Sequence, residues 1–172
     1  MHTSLGRSVR STSLPNGRAG MTLVEMLMVL VIIGILLGAA AYVRPWSFEN
    51  RRIAEDSRML LQMAKSEASK RNRSVWVKVN SNSLQTFTGT ASAGCNVSVD
   101  ESLSEVSSSS YHGELTFSSN FPGNVFRFNP QGFPRDCYGN PVSGEIDISG
   151  ADRKLCISLG GAIRVVKGGA CP

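Results

Sequence analysis

The sequence has very little histidine: two residues in 172, one of them, His2, among the first twenty. The other, His112, stands in SSSSYHG with no nucleophile signature around it, so neither a Ser–His nor a Cys–His arrangement can be assembled from local motifs. No glycine-rich loop follows a strand and opens a helix. Gly160-Gly161 and Gly168-Gly169 read instead as turns flanking the last strand, which removes phosphate-cradling chemistry. There is no C-x-x-C pair, and no histidine is near a cysteine, so zinc lacks its ligand spacing. The acidic pairs Glu55-Asp56 and Asp100-Glu101 read as solvated. Internal repeats are absent as well. A membrane-anchored hydrolase therefore has no acid–base constellation behind it, and no cofactor, metal or small-molecule substrate is expected.

Positive charge is also missing where a nucleic-acid binder would need it. The formal net charge is +5, but residues 74–172 carry seven basic and eight acidic side chains. The excess lies upstream. Residues 1–20 hold Arg7, Arg10 and Arg18 with no acid, and residues 44–73 hold eight basic and four acidic residues. Between these two basic segments, residues 21–43 form one apolar run with a single ionised side chain, Glu25. Roughly 20 helical residues cross a bilayer, so the run is long enough to do so. A cleaved secretory signal places its small-residue cut site after the apolar core, whereas here Gly20 precedes it. The flanking arginines on both sides leave the orientation rule undecided.

A carboxylate costs roughly 2.5–3.5 kcal/mol at the centre of a membrane helix and less near an end, and such residues mark function or a partner. Cleavage between Gly20 and Met21 would place a new α-amino group four residues, one helical turn, before Glu25. An ion pair with that amino group, or with the one on a neighbouring subunit, would neutralise the acid. The neighbour's pair would also set an axial register.

Gly20-Met21-Thr22-Leu23-Val24-Glu25, behind a short basic leader and ahead of an apolar helix, resembles the class III leader of type IV prepilins and type II secretion pseudopilins. Met21 stands where that family usually has phenylalanine. The resemblance implies cleavage after Gly20 by a prepilin peptidase and N-methylation of Met21. It implies a single pass of the bacterial inner membrane, with the leader cytoplasmic and the head periplasmic, and later transfer into a filament of pilin or pseudopilin subunits. It assigns Glu25 to subunit registration.

Beyond the apolar run, Pro45 predicts a break near residues 41–45, and Gly34 and Gly38 have small-xxx-small spacing. Residues 47–72 read as an amphipathic helix, with Ile53, Leu60, Leu61, Ala64 and Ala68 on one stripe. Arg51, Arg52, Arg58, Lys65, Lys70 and Arg71 lie mostly off it. From residue 74 the period becomes two. Val75, Val77 and Val79 alternate with Trp76, and strands are expected at 74–80, 83–89, 95–99, 114–118, 125–129, 145–149, 154–158 and 162–166. SLSEVSSSS (102–110) reads as a mobile loop. The expected organisation is a leader (1–20), a transmembrane helix (21–43), an amphipathic stalk (44–73) and a β-rich head (74–172).

In that order, LLQMAKSEASKRNRSVWVKV (60–79), VFRFNPQGFP (125–134) and KLCISLGGAIRVVKG (154–168) resemble the GspH/FimT family of minor pseudopilins and minor pilins. The implied fold is α+β and type IV pilin-like, a long N-terminal helix packed on an antiparallel sheet or sandwich. The implied role is an H-type pseudopilin near the tip of the type II secretion pseudopilus. The alternative is a FimT/FimU-like minor pilin in pilus assembly or DNA uptake. DNA-binding members carry Gly-Arg-x-Arg near the C-terminus. The corresponding Gly161-Ala162-Ile163-Arg164 keeps one arginine, with Lys167 nearby, so DNA is the lesser partner. Cys95, Cys137, Cys156 and Cys171 form an even set in an oxidising compartment and allow three pairings. Cys156–Cys171 is preferred because it would tie down the tail, with Cys95–Cys137 as its complement. A loop of that length stabilises by roughly 3 kcal/mol. Substituting Gly20→Ala is expected to leave an uncleaved precursor carrying the 20-residue leader; normal processing on a blot would contradict the leader assignment.

Overall fold

The computed structural model describes residues 22–42, 46–91 and 95–171. Gly20, Met21 and the expected break at Pro45 lie outside them. The chain divides into two compact units, Met1–Val43 and Arg44–Pro172.

Among the described residues the first unit contains one helix, α1 (Leu23–Tyr42). Thr22 starts it. Its hydroxyl accepts the Glu25 N–H at 3.3 Å, and its carbonyl accepts the N–H groups of Glu25 and Met26 at 3.1 and 3.2 Å. From residue 23 to residue 39 every side chain is exposed. Among the described residues no helix is long and apolar enough to cross a membrane. Helix α1 is 20 residues long.

The second unit opens with α2 (Trp46–Arg71). Ile53, Leu60, Leu61, Ala64 and Ala68 are all buried, together with Ala54 and Ser57, which a strict apolar stripe omits. The helix ends as Asn72 takes a left-handed φ of 48° and the Arg73 N–H bonds the Ala68 carbonyl at 3.2 Å.

Among the described residues nine strands follow, in two wholly antiparallel sheets. The first contains β1 (Val75–Asn80), β2 (Ser83–Ala91), β3 (Val97–Ser107), β5 (Val125–Phe128) and β6 (Pro134–Arg135), in the order β3-β2-β1-β5-β6. The second contains β4 (Thr116–Ser119), β7 (Gly144–Ser149), β8 (Arg153–Ile157) and β9 (Ile163–Lys167), in the order β4-β7-β8-β9. Both sheets share one core with α2. Val75, Val77, Phe126 and Phe128 from the first meet Ile146, Ile148 and Leu155 from the second around Ile53 and Leu61. The alternation in β1 turns Trp76 to the opposite face, where it is buried with Phe87, Val125 and Cys137 in a separate small cluster.

Two expectations are corrected. The serine-rich segment 102–110 is not a loop: residues 102–107 belong to β3, in register with β2 from Ser83↔Ser107 to Phe87↔Ser102, and 108–110 form a single 3₁₀ turn. Backbone pairing along β2 overrides the poor strand preference of serine, and Leu103 and Val106 pack against the core. The strand expected at 95–99 begins at Val97, because Cys95 takes a left-handed φ of 62°.

The turn after β3 is fastened to α2. The Tyr111 hydroxyl donates to Asp56 at 2.6 Å, and Arg52 stands 3.7 Å from the same carboxylate oxygen. Asp56 is therefore an anchor as well as half of a surface acid pair. Burial and the bond to Asp56 push the Tyr111 phenol above its ordinary range. A raised folded-state pKa favours the protonated form. The contribution is complete below the unfolded value, about 10, and is lost as pH rises past it. Tyr111→Phe is expected to cost about 1 kcal/mol at neutral pH and to flatten the decline in stability on the alkaline side of about pH 10, measured by thermal unfolding against pH.

Candidate functional site

The N-terminal candidates separate on position. Glu25 occupies the first turn of α1, where the helix dipole favours a carboxylate. Among the described residues it has no ion-pair partner. Gly20 and Met21, the cleavage and methylation candidates, are outside the described residues.

At the other end of the chain, β8 and β9 form a hairpin with Cys156 opposite Arg164 and Arg153 opposite Lys167. Ile163 and Val165 face the core, so alternation turns Arg164 outward and Lys167 to the opposite side of the sheet. The structure does not bring these two cations together. Arg164 lines a shallow depression of about 790 Å³ shared with Glu145, Leu159 and the Cys156–Cys171 pair. Glu145 is engaged by Lys154 at 3.2 Å. One arginine in a mixed-charge hollow is a poor footprint for a polyanion.

All four cysteines are paired, Cys95 with Cys137 and Cys156 with Cys171, with Cα–Cα separations of 5.2 and 5.5 Å. The first ties the approach to β3 to the segment after β6, against Trp76. The second ties β8 to the C-terminal tail. His112 is exposed in the turn after β3.

The residue that sequence reasoning missed is Lys65. It lies off the apolar stripe of α2, yet its ammonium donates to the Gly161 carbonyl at 3.0 Å. Its stem lies against Gly132, where φ is 79° and a Cβ would collide with the lysine Cε and Cγ. Gly161, at φ 75°, approaches the Gly132 carbonyl so closely that a Cβ there would press into it. One turn along α2, the Ser69 hydroxyl donates to the Pro130 carbonyl at 2.8 Å. The 129–133 loop is closed by Asn129, which takes the Phe133 N–H on its side chain at 2.8 Å. The NPQG and LGGA turns, far apart in sequence, therefore meet on α2 at Lys65. The signal was a lysine inside a helix whose other face is core, together with two distant glycine turns. Only the tertiary fold brings them together.

The profile of the family described as type II transport protein GspH matches residues 54–161, and the prokaryotic N-terminal methylation motif matches residues 15–41. None of the curated proteins matches significantly. Two crystal structures of the type IV minor pilin FimU of Pseudomonas aeruginosa (strain PAO1) share the fold. In space group P65 the identity is 21%, with TM-score 0.51, over 67% of this chain and 91% of that one. In P21 it is again 21%, with TM-score 0.54, over 69% and 88%. The shared fold is the α+β arrangement of a helix on antiparallel sheets. The family match spans α2 from Ala54 through the LGGA turn that meets Lys65. With the methylation motif ahead of it, the chain belongs to the GspH family and is a minor pilin or pseudopilin with a prepilin-type leader.

Proposed function

We propose that the protein is an H-type minor pseudopilin, a structural subunit near the tip of a type II secretion pseudopilus that supports protein export. The observation that carries this reading is the GspH match across residues 54–161, on a head whose C-terminal hairpin keeps Arg164 and Lys167 apart. A prepilin peptidase would cut after Gly20 and leave Met21 as a methylated N-terminus. Residues 21–43 would hold the subunit in the inner membrane, with the head in the periplasm.

Assembly then rests on surfaces that the isolated chain leaves unsatisfied. Gly34 and Gly38 of α1 have open space around the positions their Cβ atoms would take, which suits close approach by another helix. On α2, Phe48, Met59 and Met63 are 71%, 65% and 44% exposed. They lie on the side of the helix turned away from Ile53 and Leu61, interspersed with the charged Arg52 and Glu55. Glu25 would accept the α-amino group of a neighbour's N-terminus, fixing subunits at one axial step. A membrane-anchored subunit assembled with other pilin-type subunits is the common element of the secretion and pilus readings.

The two readings part in the culture medium. In an in-frame deletion strain compared with its complemented parent, secreted enzymes are expected to disappear from the medium and accumulate in the periplasm. Unchanged secretion would overturn the secretion assignment and move the subunit to a pilus.

A further inference from the structure

β5 and β6 set Arg127 directly opposite Arg135. Like charges facing each other across an antiparallel pair are destabilising unless something neutralises them. Phe126, Phe128 and Pro134 are buried, and alternation sends the two arginines to the other face, beside Trp76. The Arg127 guanidinium lies over the Trp76 ring, 5.0 Å from its centroid. One of its terminal nitrogens is so near Gly139 that a Cβ there would stand 3.2 Å from it. The Arg135 Nη1 donates to the Gly139 carbonyl at 3.4 Å. The two cationic heads thus converge on one residue.

Both arginines are half-buried, and the Arg127 Nε is fully buried with no acceptor. Among the described residues neither arginine makes an ion pair. The adjacent carboxylate, Asp136, is already occupied. It accepts the N–H groups of Tyr138 and Asn140 at 2.9 and 2.8 Å and the Asn140 amide at 3.1 Å. Burial pushes its pKa up, but these donors outweigh burial and hold it below the ordinary carboxylate range. The surroundings are fixed by the Cys95–Cys137 disulfide and by Gly139, whose φ of 96° suits no other residue.

We propose that Arg127 and Arg135 form a receptor for a carboxylate on a partner protein, an acidic side chain or chain terminus of another filament subunit. A carboxylate seated between two planar guanidinium groups takes parallel charge-assisted hydrogen bonds and cancels the repulsion across β5 and β6. Tyr138, 70% exposed and next to Gly139, supplies an aromatic contact of the kind that anchors protein interfaces. Nucleic acid is disfavoured because residues 74–172 carry seven basic and eight acidic side chains, leaving no basic track for successive phosphates. The identity of the partner rests on the filament-subunit reading, but the anion chemistry does not.

The experiment uses the purified full chain in detergent with Trp46→Phe, which leaves Trp76 as the sole indole. Titration with a tetraglutamate peptide is expected to give a saturable change in Trp76 emission. Arg127→Gln and Arg135→Gln should each weaken it about tenfold. Arg135→Gln should leave the melting temperature unchanged or raise it, because a like-charge pair is relieved; a purely structural arginine would lower it on removal. The proposal is overturned by no saturable response, by an unchanged response in the variants, by a lower melting temperature for Arg135→Gln, or by tighter binding of a single-stranded oligonucleotide of equal charge. In cells, a photo-crosslinker at Tyr138 should capture a filament subunit, and the capture should vanish in the double arginine variant. A chain that still enters filaments without the tetraglutamate response sinks the receptor alone. A chain absent from every filament preparation sinks the filament reading.

Discussion

The packing of α2 against both sheets is the interaction on which the rest of the head depends. Ile53, Ala54 and Leu61 are completely buried, and the inner faces of the two sheets meet around them in one cluster. Without the helix, each sheet would expose a face of valine, isoleucine and phenylalanine. Truncating one such large aliphatic side chain to alanine costs about 2–5 kcal/mol, a sizeable part of what holds a domain together. The helix also organises what lies at its margins. Asp56 holds the turn after β3, Lys65 holds the 129–133 and 158–162 turns, and Arg71 reaches Glu101 on β3. A single element thus sets the placement of both sheets and of the loops between them.

This dependence explains which parts of the fold were legible in the sequence. The stripe of Ile53, Leu60, Leu61, Ala64 and Ala68 and the alternation around Trp76 are local periodicities, and local periodicity survives folding. The length of β3 was illegible because serine carries no strand signal and its pairing is supplied by β2, so the segment looked like a loop. Lys65 was illegible for a related reason. Its partners lie 67 and 96 residues away, at Gly132 and Gly161, and a lysine on a helix otherwise reads as solvated. The pairing of Arg127 with Arg135 was hidden in the same way, since only the register of a two-residue strand sets them opposite each other. The N-terminal motif was the most legible part of the candidate site. A glycine, a carboxylate five residues on and an uninterrupted apolar run are adjacent in the chain and need no fold to be recognised.

The surfaces left over have a common character. Phe48, Met59 and Met63 stand exposed opposite the core face of α2, the α1 side chains from residue 23 to residue 39 are exposed, and Glu25 has no ion-pair partner among the described residues. Each is an unfavourable feature for an isolated, water-surrounded protein and a useful one for a subunit among neighbours. The two disulfides fit the same division of labour. They tie the head at its C-terminal tail and beside Trp76.

The central claim is that the lone carboxylate of α1 sets the subunit's register. Its most direct test is the recovery of a Glu25→Ala variant in filaments purified from cells. The account predicts a chain that is cleaved, inserted and folded with both disulfides formed, yet largely missing from the filament fraction. Recovery of the variant in filaments at the parental level would contradict it.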